Sequence, residues 1–406
     1  MQWKSVTRIL VLALSGVALG CSSDGGGPSP VPTTLTLVGT GQSGMIGTLL
    51  ANPVGVTVRD QDGAAMSGVT VTFAVTAGGG AILPADQTVS TNSQGTATAP
   101  WILGNVVGSN NNSVAVTVAN YAAGAETITA SATPLVSAYH IDLEFLTPMS
   151  PTQAAAFTSA AARWGGIIVG DLPSDRVVAD AGECFDNSPA QDEVIDDLLI
   201  FASVDSIDGP GGILGGASPC WIRDDGFLTI VGGMVFDSAD MAQLEVAGIL
   251  EAVILHEMGH VLGIGTLWSY MNPSLLVGAG TMNPYFNGAN GVFRFGLDGG
   301  GTYPGTPVPV ENQGGPGTAD GHWRETIMGR ELMTGYISLI ANPLSTITVG
   351  SLADMAYTVS YANADPYTVS GINLRMEPAA GEMHLRELRP KFAPKRTGQR
   401  PAPPRQ

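Results

Sequence analysis

Histidine is scarce in this chain: five of 406 residues, at positions 140, 256, 260, 322 and 384. Cysteine is scarcer, with three, at 21, 184 and 220. None of them stands in Cys-x-x-Cys spacing, which argues against a cysteine metal site. Basic side chains number only 17 against 35 acidic ones, a formal charge of −18. That balance argues against nucleic acid as a partner, because phosphates need a basic face. Charged residues of both signs are only 13% of the chain. No apolar run reaches the length of about 20 residues that a membrane helix needs. What is plentiful is glycine, 54 residues, and proline, 27. Such a mix points to a β-rich, loop-rich exported chain rather than a helical cytosolic one.

The few basic residues are unevenly placed. Eight of the 17 lie at or after Arg375 and two lie before residue 22. Residues 22–374 therefore hold seven basic against 32 acidic residues, a net of about −25. An acidic body carries a basic, Pro-rich tail, 373–406, which the composition predicts to be disordered.

At the other end, Lys4 and Arg8 precede an apolar run from Ile9 to Leu19, of signal-peptide length. The run closes on Val17-Ala18-Leu19-Gly20-Cys21-Ser22, which resembles a bacterial lipoprotein lipobox. The resemblance implies removal of residues 1–20 and lipidation of Cys21. It also implies an exported protein anchored at the outer membrane or cell surface through that lipid. Residues 21–33, rich in Gly, Ser and Pro, read as a flexible tether. Two cysteines then remain, Cys184 and Cys220, and an even remainder in an oxidising compartment predicts one disulfide.

The length fits two domains plus tails. Over 34–133, short alternating segments such as Val69-Thr-Val-Thr-Phe-Ala-Val75 and Ser113-Val-Ala-Val-Thr-Val118 sit between turn residues. Six or seven such strands in about 100 residues predict an immunoglobulin-like β-sandwich. The run Val56 to Phe73, with Thr91-Asn-Ser-Gln-Gly-Thr-Ala97, resembles the bacterial Ig-like group 1 domain of the invasin and intimin type. That resemblance implies a spacer or adhesion module. Within it, Asp60-Gln-Asp-Gly63 lacks the further oxygens of a calcium loop and reads as a hairpin turn.

From about Tyr139 the pattern changes. His140 to Leu146, Asp197 to Ser203 and Phe227 to Val231 read as strands, and Ser150 to Trp164 as a helix begun by Ser-Pro. His140, on its apolar strand, reads as structural. A long helix is expected from Met241 to Leu262. The fold class is therefore multidomain: an Ig-like β-sandwich followed by an α+β domain.

That last helix carries His256-Glu257-Met258-Gly259-His260. Histidines four apart lie one turn apart on one face and can grip one metal ion together. The glutamate beside the first can reach a water on that ion, the His-Glu-x-x-His arrangement of zinc peptidases. The alternative is a core helix with two buried histidines. Gly263 ends the helix and permits a left-handed turn back toward the metal. Three residues after it stands Thr266, where the short metzincin motif would have its third histidine.

The next histidine is His322, in Gly321-His322-Trp323, followed by Glu331-Leu332-Met333. This layout resembles leishmanolysin, a family of metzincins with a long insertion, a His-Trp segment and a Met-turn. It covers 137–372 and implies a metzincin-type zinc peptidase domain. By matched positions, His256, His260 and His322 would hold Zn2+, Glu257 would be the general base, and Met333 the apolar floor. A polypeptide substrate is implied with them. Should His322 lie elsewhere, Glu311, Glu325 or Glu331 offers a carboxylate third ligand. Tyr336 is a weaker candidate for oxyanion support, and Gly209 to Ala217 for a substrate edge.

Overall fold

The structure, a computed structural model, describes residues 28–82, 87–104, 106–134, 136–299, 302–369, 382–384 and 394–397. The leader, Cys21 and most of the basic tail lie outside them. Among the described residues no helix is long and apolar enough to cross a membrane.

Among its described residues the first unit has ten strands: β1 (Thr34–Val38), β2 (Gln42–Met45), β3 (Val54–Arg59), β4 (Thr70–Ala77), β5 (Gly80–Ile82), β6 (Thr88–Ser90), β7 (Thr96–Ala99), β8 (Trp101–Leu103), β9 (Gly108–Val118) and β10 (Glu126–Thr133). They form one sheet in the order β1-β3-β7 and another in the order β2-β10-β9-β4-β6, with β5 and β8 as a pair. Val54, Val56 and Val58, Val71 and Phe73, and Val114, Val116 and Val118 point inward around Trp101. The alternating apolar positions thus line the core between the sheets, and threonines face out. At the turn after β3, Asp60 Oδ1 accepts from the backbone N–H of Asp62 and Ala64. This carboxylate oxygen shapes the hairpin turn.

The second core runs from Tyr139 to Val369 and is separate from the first. The two units touch where Tyr361 N–H donates to Gly47 O at 3.1 Å and Ser360 Oγ donates to Ile46 O at 3.0 Å. Strand β11 (Ile141–Phe145) leads to helix α1 (Pro151–Ile167), whose Ser150 and Gln153 form a reciprocal capping box. A hairpin of β12 (Asp175–Ala179) and β13 (Gln191–Ile195) follows, then β14 (Leu198–Asp205), β15 (Gly215–Ile222) and β16 (Thr229–Asp237). Strands β11, β14 and β16 run parallel, and β15 is antiparallel beside β16. Leu198, Ile200 and Ala202 of β14 face the main core with α1. Leu199 and Phe201 face the smaller core under the β12–β13 hairpin. Cover on both faces explains why β14 reads as an unbroken apolar run. On the hairpin side, a disulfide joins Cys184 to Cys220 on β15, with Cα atoms 5.2 Å apart.

The expected single helix over 241–262 is two helices. The first is α2 (Ser238–Ala247) and the second α3 (Leu250–Leu262). Gly248 adopts φ +72, and its N–H returns to Glu245 O and Leu244 O, which closes α2 before the motif begins. After α3 the insertion holds β17 (Leu276–Val277), β18 (Tyr285–Phe286), α4 (Ala289–Asp298) and β19 (Val308–Pro309). Then come α5 (Glu325–Met328), β20 (Tyr336–Ser338) and α6 (Thr346–Asp354).

Two pieces of the tail depart from the expected disorder. Strand β21 (Glu382–His384) pairs with β20, and β22 (Lys395–Arg396) pairs with β15. Lys395 donates to Glu183 at 2.6 Å, and the Arg396 guanidinium lies over Phe227. Open strand edges on an acidic body give a basic tail something to pair with.

Candidate metal centre

Helix α3 sets the site. Its His256 and His260 share one face, and both are buried, His256 fully and His260 at 2% exposure. The chain turns back at Gly263, φ +110, whose N–H caps the helix on Gly259 O and His260 O. Thr266, where the short motif would place a third histidine, donates its hydroxyl to His260 O at 2.6 Å. It finishes the helix end instead of joining the site.

The third ring is that of His322, also fully buried. The Nε2 atoms of His256 and His260 are 3.0 Å apart, and each lies 3.1 Å from His322 Nε2. On the far side of every ring, Nδ1 faces a backbone carbonyl. His256 meets Leu332 O at 2.6 Å, His260 meets Ile264 O at 2.8 Å, and His322 meets Thr318 O at 2.9 Å. A carbonyl only accepts, so each ring donates its Nδ1–H there, and the neutral tautomer leaves a lone pair on Nε2. Three lone pairs converge between buried rings, an arrangement that suits a cation at their centre. Tetrahedral zinc with bonds of about 2.0–2.1 Å would set its nitrogens roughly 3.3 Å apart, close to the spacing found. The donor set therefore fits zinc, with imidazole nitrogen as its common ligand.

Glu257 follows His256 on α3 and is 1% exposed. Met333 is fully buried and lies against Gly259, where an added Cβ would come 2.8 Å from its sulfur and 3.2 Å from the Trp164 ring. The residue type at 259, inside the variable part of the motif, thus matters for what can lie beneath the helix.

Two of the carboxylate alternatives, Glu311 and Glu331, are engaged by bonds of their own. Glu311 Oε1 accepts from Asn312 and Gln313 N–H, and its Oε2 from Glu325 N–H. Glu331 is wholly buried and holds Ser345, Thr348 and Met333. Burial pushes the Glu331 carboxyl up, and hydrogen bonds from Thr348, Ser345 and Met333 pull it back. Glu325 opens the short helix α5, and with His322 at the triad no carboxylate is needed.

Tyr336, three residues after Met333, begins β20 beside β21. His140 is exposed rather than packed in a strand, with Nδ1 3.6 Å from Asp197 Oδ2. It precedes β11, where its backbone N–H donates to Asp197. Of the Gly-rich stretch, 209–213 is a loop held by Asp237 and Asp240, while Gly215 to Ala217 start β15.

Sequence reading missed Gly265. Its φ is +75, and an added Cβ would collide with the carbonyl of Gly321. Here the segment carrying Ile264 O crosses the segment carrying His322. Glycine at both 263 and 265, beside the motif, was the available signal.

No protein-family model matches the chain, and no curated protein does. Among solved structures, the D00-D0 domain of intimin is 20% identical, at TM-score 0.17, covering 24% of this chain and 43% of that one. Domains 4–9 of the surface layer protein SbsC are 13% identical, at TM-score 0.19, covering 41% of this chain and 20% of that one. The chain thus spans less than half the length of each. Likeness at these scores carries no functional argument, and the β-sandwich rests on its own sheet order.

Proposed function

We propose that this protein is a zinc-dependent endopeptidase of the leishmanolysin type, exported and held at a bacterial cell surface by lipid on Cys21. The observation that carries the reading is the convergence of three Nε2 atoms within 3.1 Å, each ring locked by a carbonyl at Nδ1. His256, His260 and His322 would hold the ion. Zinc supplies there a Lewis acid for a peptide carbonyl and lowers the pKa of water. Glu257, one residue after His256, takes the proton of the attacking water and returns it to the leaving amine. Met333 and Trp164 close the floor behind Gly259.

The substrate is an extended polypeptide. Strand β22 covers β15 only at Trp221 and Ile222. An extended chain would bind by adding to a sheet edge, and β15, buried from Gly215 to Pro219, lies at the side of the sheet away from β14. The disulfide, formed in oxidising compartments, agrees with export.

The test is cleavage of an unfolded protein by the full chain, with and without chelator, beside Glu257→Ala. Cleavage that needs the metal and Glu257, with zinc retained in the variant, supports the reading. Zinc bound in stoichiometric amount without cleavage would instead favour a surface binding protein with a non-catalytic metal. Zinc lost in Glu257→Ala would make Glu257 a ligand or a structural residue.

A further inference from the structure

Glu331 lies in a fully buried network that ends at two of the three histidines. Its Oε1 accepts from Ser345 N–H at 3.1 Å, Ser345 Oγ at 2.7 Å and Thr348 Oγ1 at 2.6 Å. Its Oε2 accepts from Met333 N–H at 2.6 Å. The bond to Met333 folds residues 331–333 into a tight turn, and the residue between, Leu332, presents its carbonyl to His256. A second route runs through Thr348, whose Oγ1 accepts from Trp323 Nε1 at 2.8 Å. Trp323 follows His322, and its own N–H donates to Met333 O at 2.9 Å.

A buried carboxylate is costly unless its oxygens are hydrogen-bonded. Here both are, and Ser345 caps the N-terminus of α6, whose dipole favours a negative charge. An apolar side chain would fill the same space without that cost. What it would not do is fix the Leu332 carbonyl and the Trp323 indole from one point.

We propose that Glu331 is the positioning residue of the metal centre, holding the His256 and His322 rings so that their Nε2 atoms meet. This rests on the reading of the triad as a zinc site. Partners of ligands at one remove typically contribute about 10–100-fold to metal affinity.

The test uses the full chain and two readouts, the zinc dissociation constant from chelator competition and the unfolding temperature of the zinc-free protein. Four proteins are compared: wild type, Glu331→Gln, Thr348→Val and Thr348→Ser. Glu331→Gln and Thr348→Val are expected to weaken zinc by about tenfold or more in the folded fraction. Thr348→Ser, which keeps the hydroxyl, restores wild-type affinity. If Glu331→Gln does not fold, the Thr348 pair decides. Variants that melt earlier yet bind zinc as wild type does would make Glu331 purely structural and overturn the proposal. A wild type that binds no zinc would overturn the zinc reading, and this inference with it.

Discussion

Gly265 and Gly321 meet backbone to backbone, so closely that no side chain fits between them. The contact joins the end of the motif helix to the residue before His322. Gly265→Ala should therefore fail twice, through its φ of +75 and through collision with a carbonyl that cannot swing away. The control is Gly280→Ala, with φ +72 and open space around it. A non-glycine residue in this region costs of order 1–3 kcal/mol. In urea unfolding, Gly280→Ala should show that cost alone, and Gly265→Ala a larger one together with lost zinc. Equal losses would mean that the crossing tolerates a methyl group.

Removing the disulfide should destabilise the second unit. Cys184 and Cys220 close a loop with a separation of 36 residues. The chain-entropy relation puts its contribution at about 4 kcal/mol, an upper figure before residual structure is considered. Cys184→Ser with Cys220→Ser should lower the melting temperature, and reductant should do so only in wild type. Equal melting of both proteins would show that the sheet edge holds without the bridge.

Asp298 should make stability depend on pH. Burial raises its carboxyl to about 6, against hydrogen bonding by Thr346 and attraction from Arg294. The folded state thus holds this proton more tightly than the unfolded chain, whose carboxyl stays near 3.8. The contribution is fully present below the unfolded value and is lost as pH rises through about 6. A difference of roughly two units is of order 2–3 kcal/mol. Asp298→Asn, which can still accept from Thr346, should raise the melting temperature at pH 7.5 and gain little at pH 4. A gain of the same size at both pH values would refute it.

Zinc removal should loosen the domain that holds the triad. A ligand bound only by the folded state adds about 2.7 kcal/mol at 100 times its dissociation constant. Dialysis against chelator should lower the melting temperature, and added zinc should restore it. His322→Ala should melt alike with and without zinc.

Part of this site is legible in the sequence because its spacing is local. His256 and His260 stand one helical turn apart, so any helix there puts them on one face. With histidine so rare, His322 was the only nearby ring. The partners that fix the rings were illegible, because they are carbonyls of Leu332, Ile264 and Thr318, and a carbonyl has no residue signature. The break between α2 and α3 was hidden for a different reason. Gly248 inside a helical pattern costs only about 1 kcal/mol, so pattern alone does not say whether the helix stops. Likewise, the alternation in β3, β4 and β9 showed which valines face inward. Which strands become neighbours depends on contacts far apart in the chain, and no local pattern carries that. Glu331 was readable as an acid near the site, but its four donors come from three separate positions brought together by α6.

The long gap between ligands also sets when the centre can exist. His260 and His322 are 62 residues apart, and Thr348 lies further on still. Closing such a segment costs about 3.7 kcal/mol of chain entropy beyond a constant term. A chain emerging N-terminus first presents two rings on α3 while the third is still unmade. On the zinc reading, metal capture would wait until His322 is made, and a stalled or truncated product ending before it would carry a pair of histidines and no centre. Bound metal would then mark a chain made at least as far as His322, readable without any assay of its chemistry.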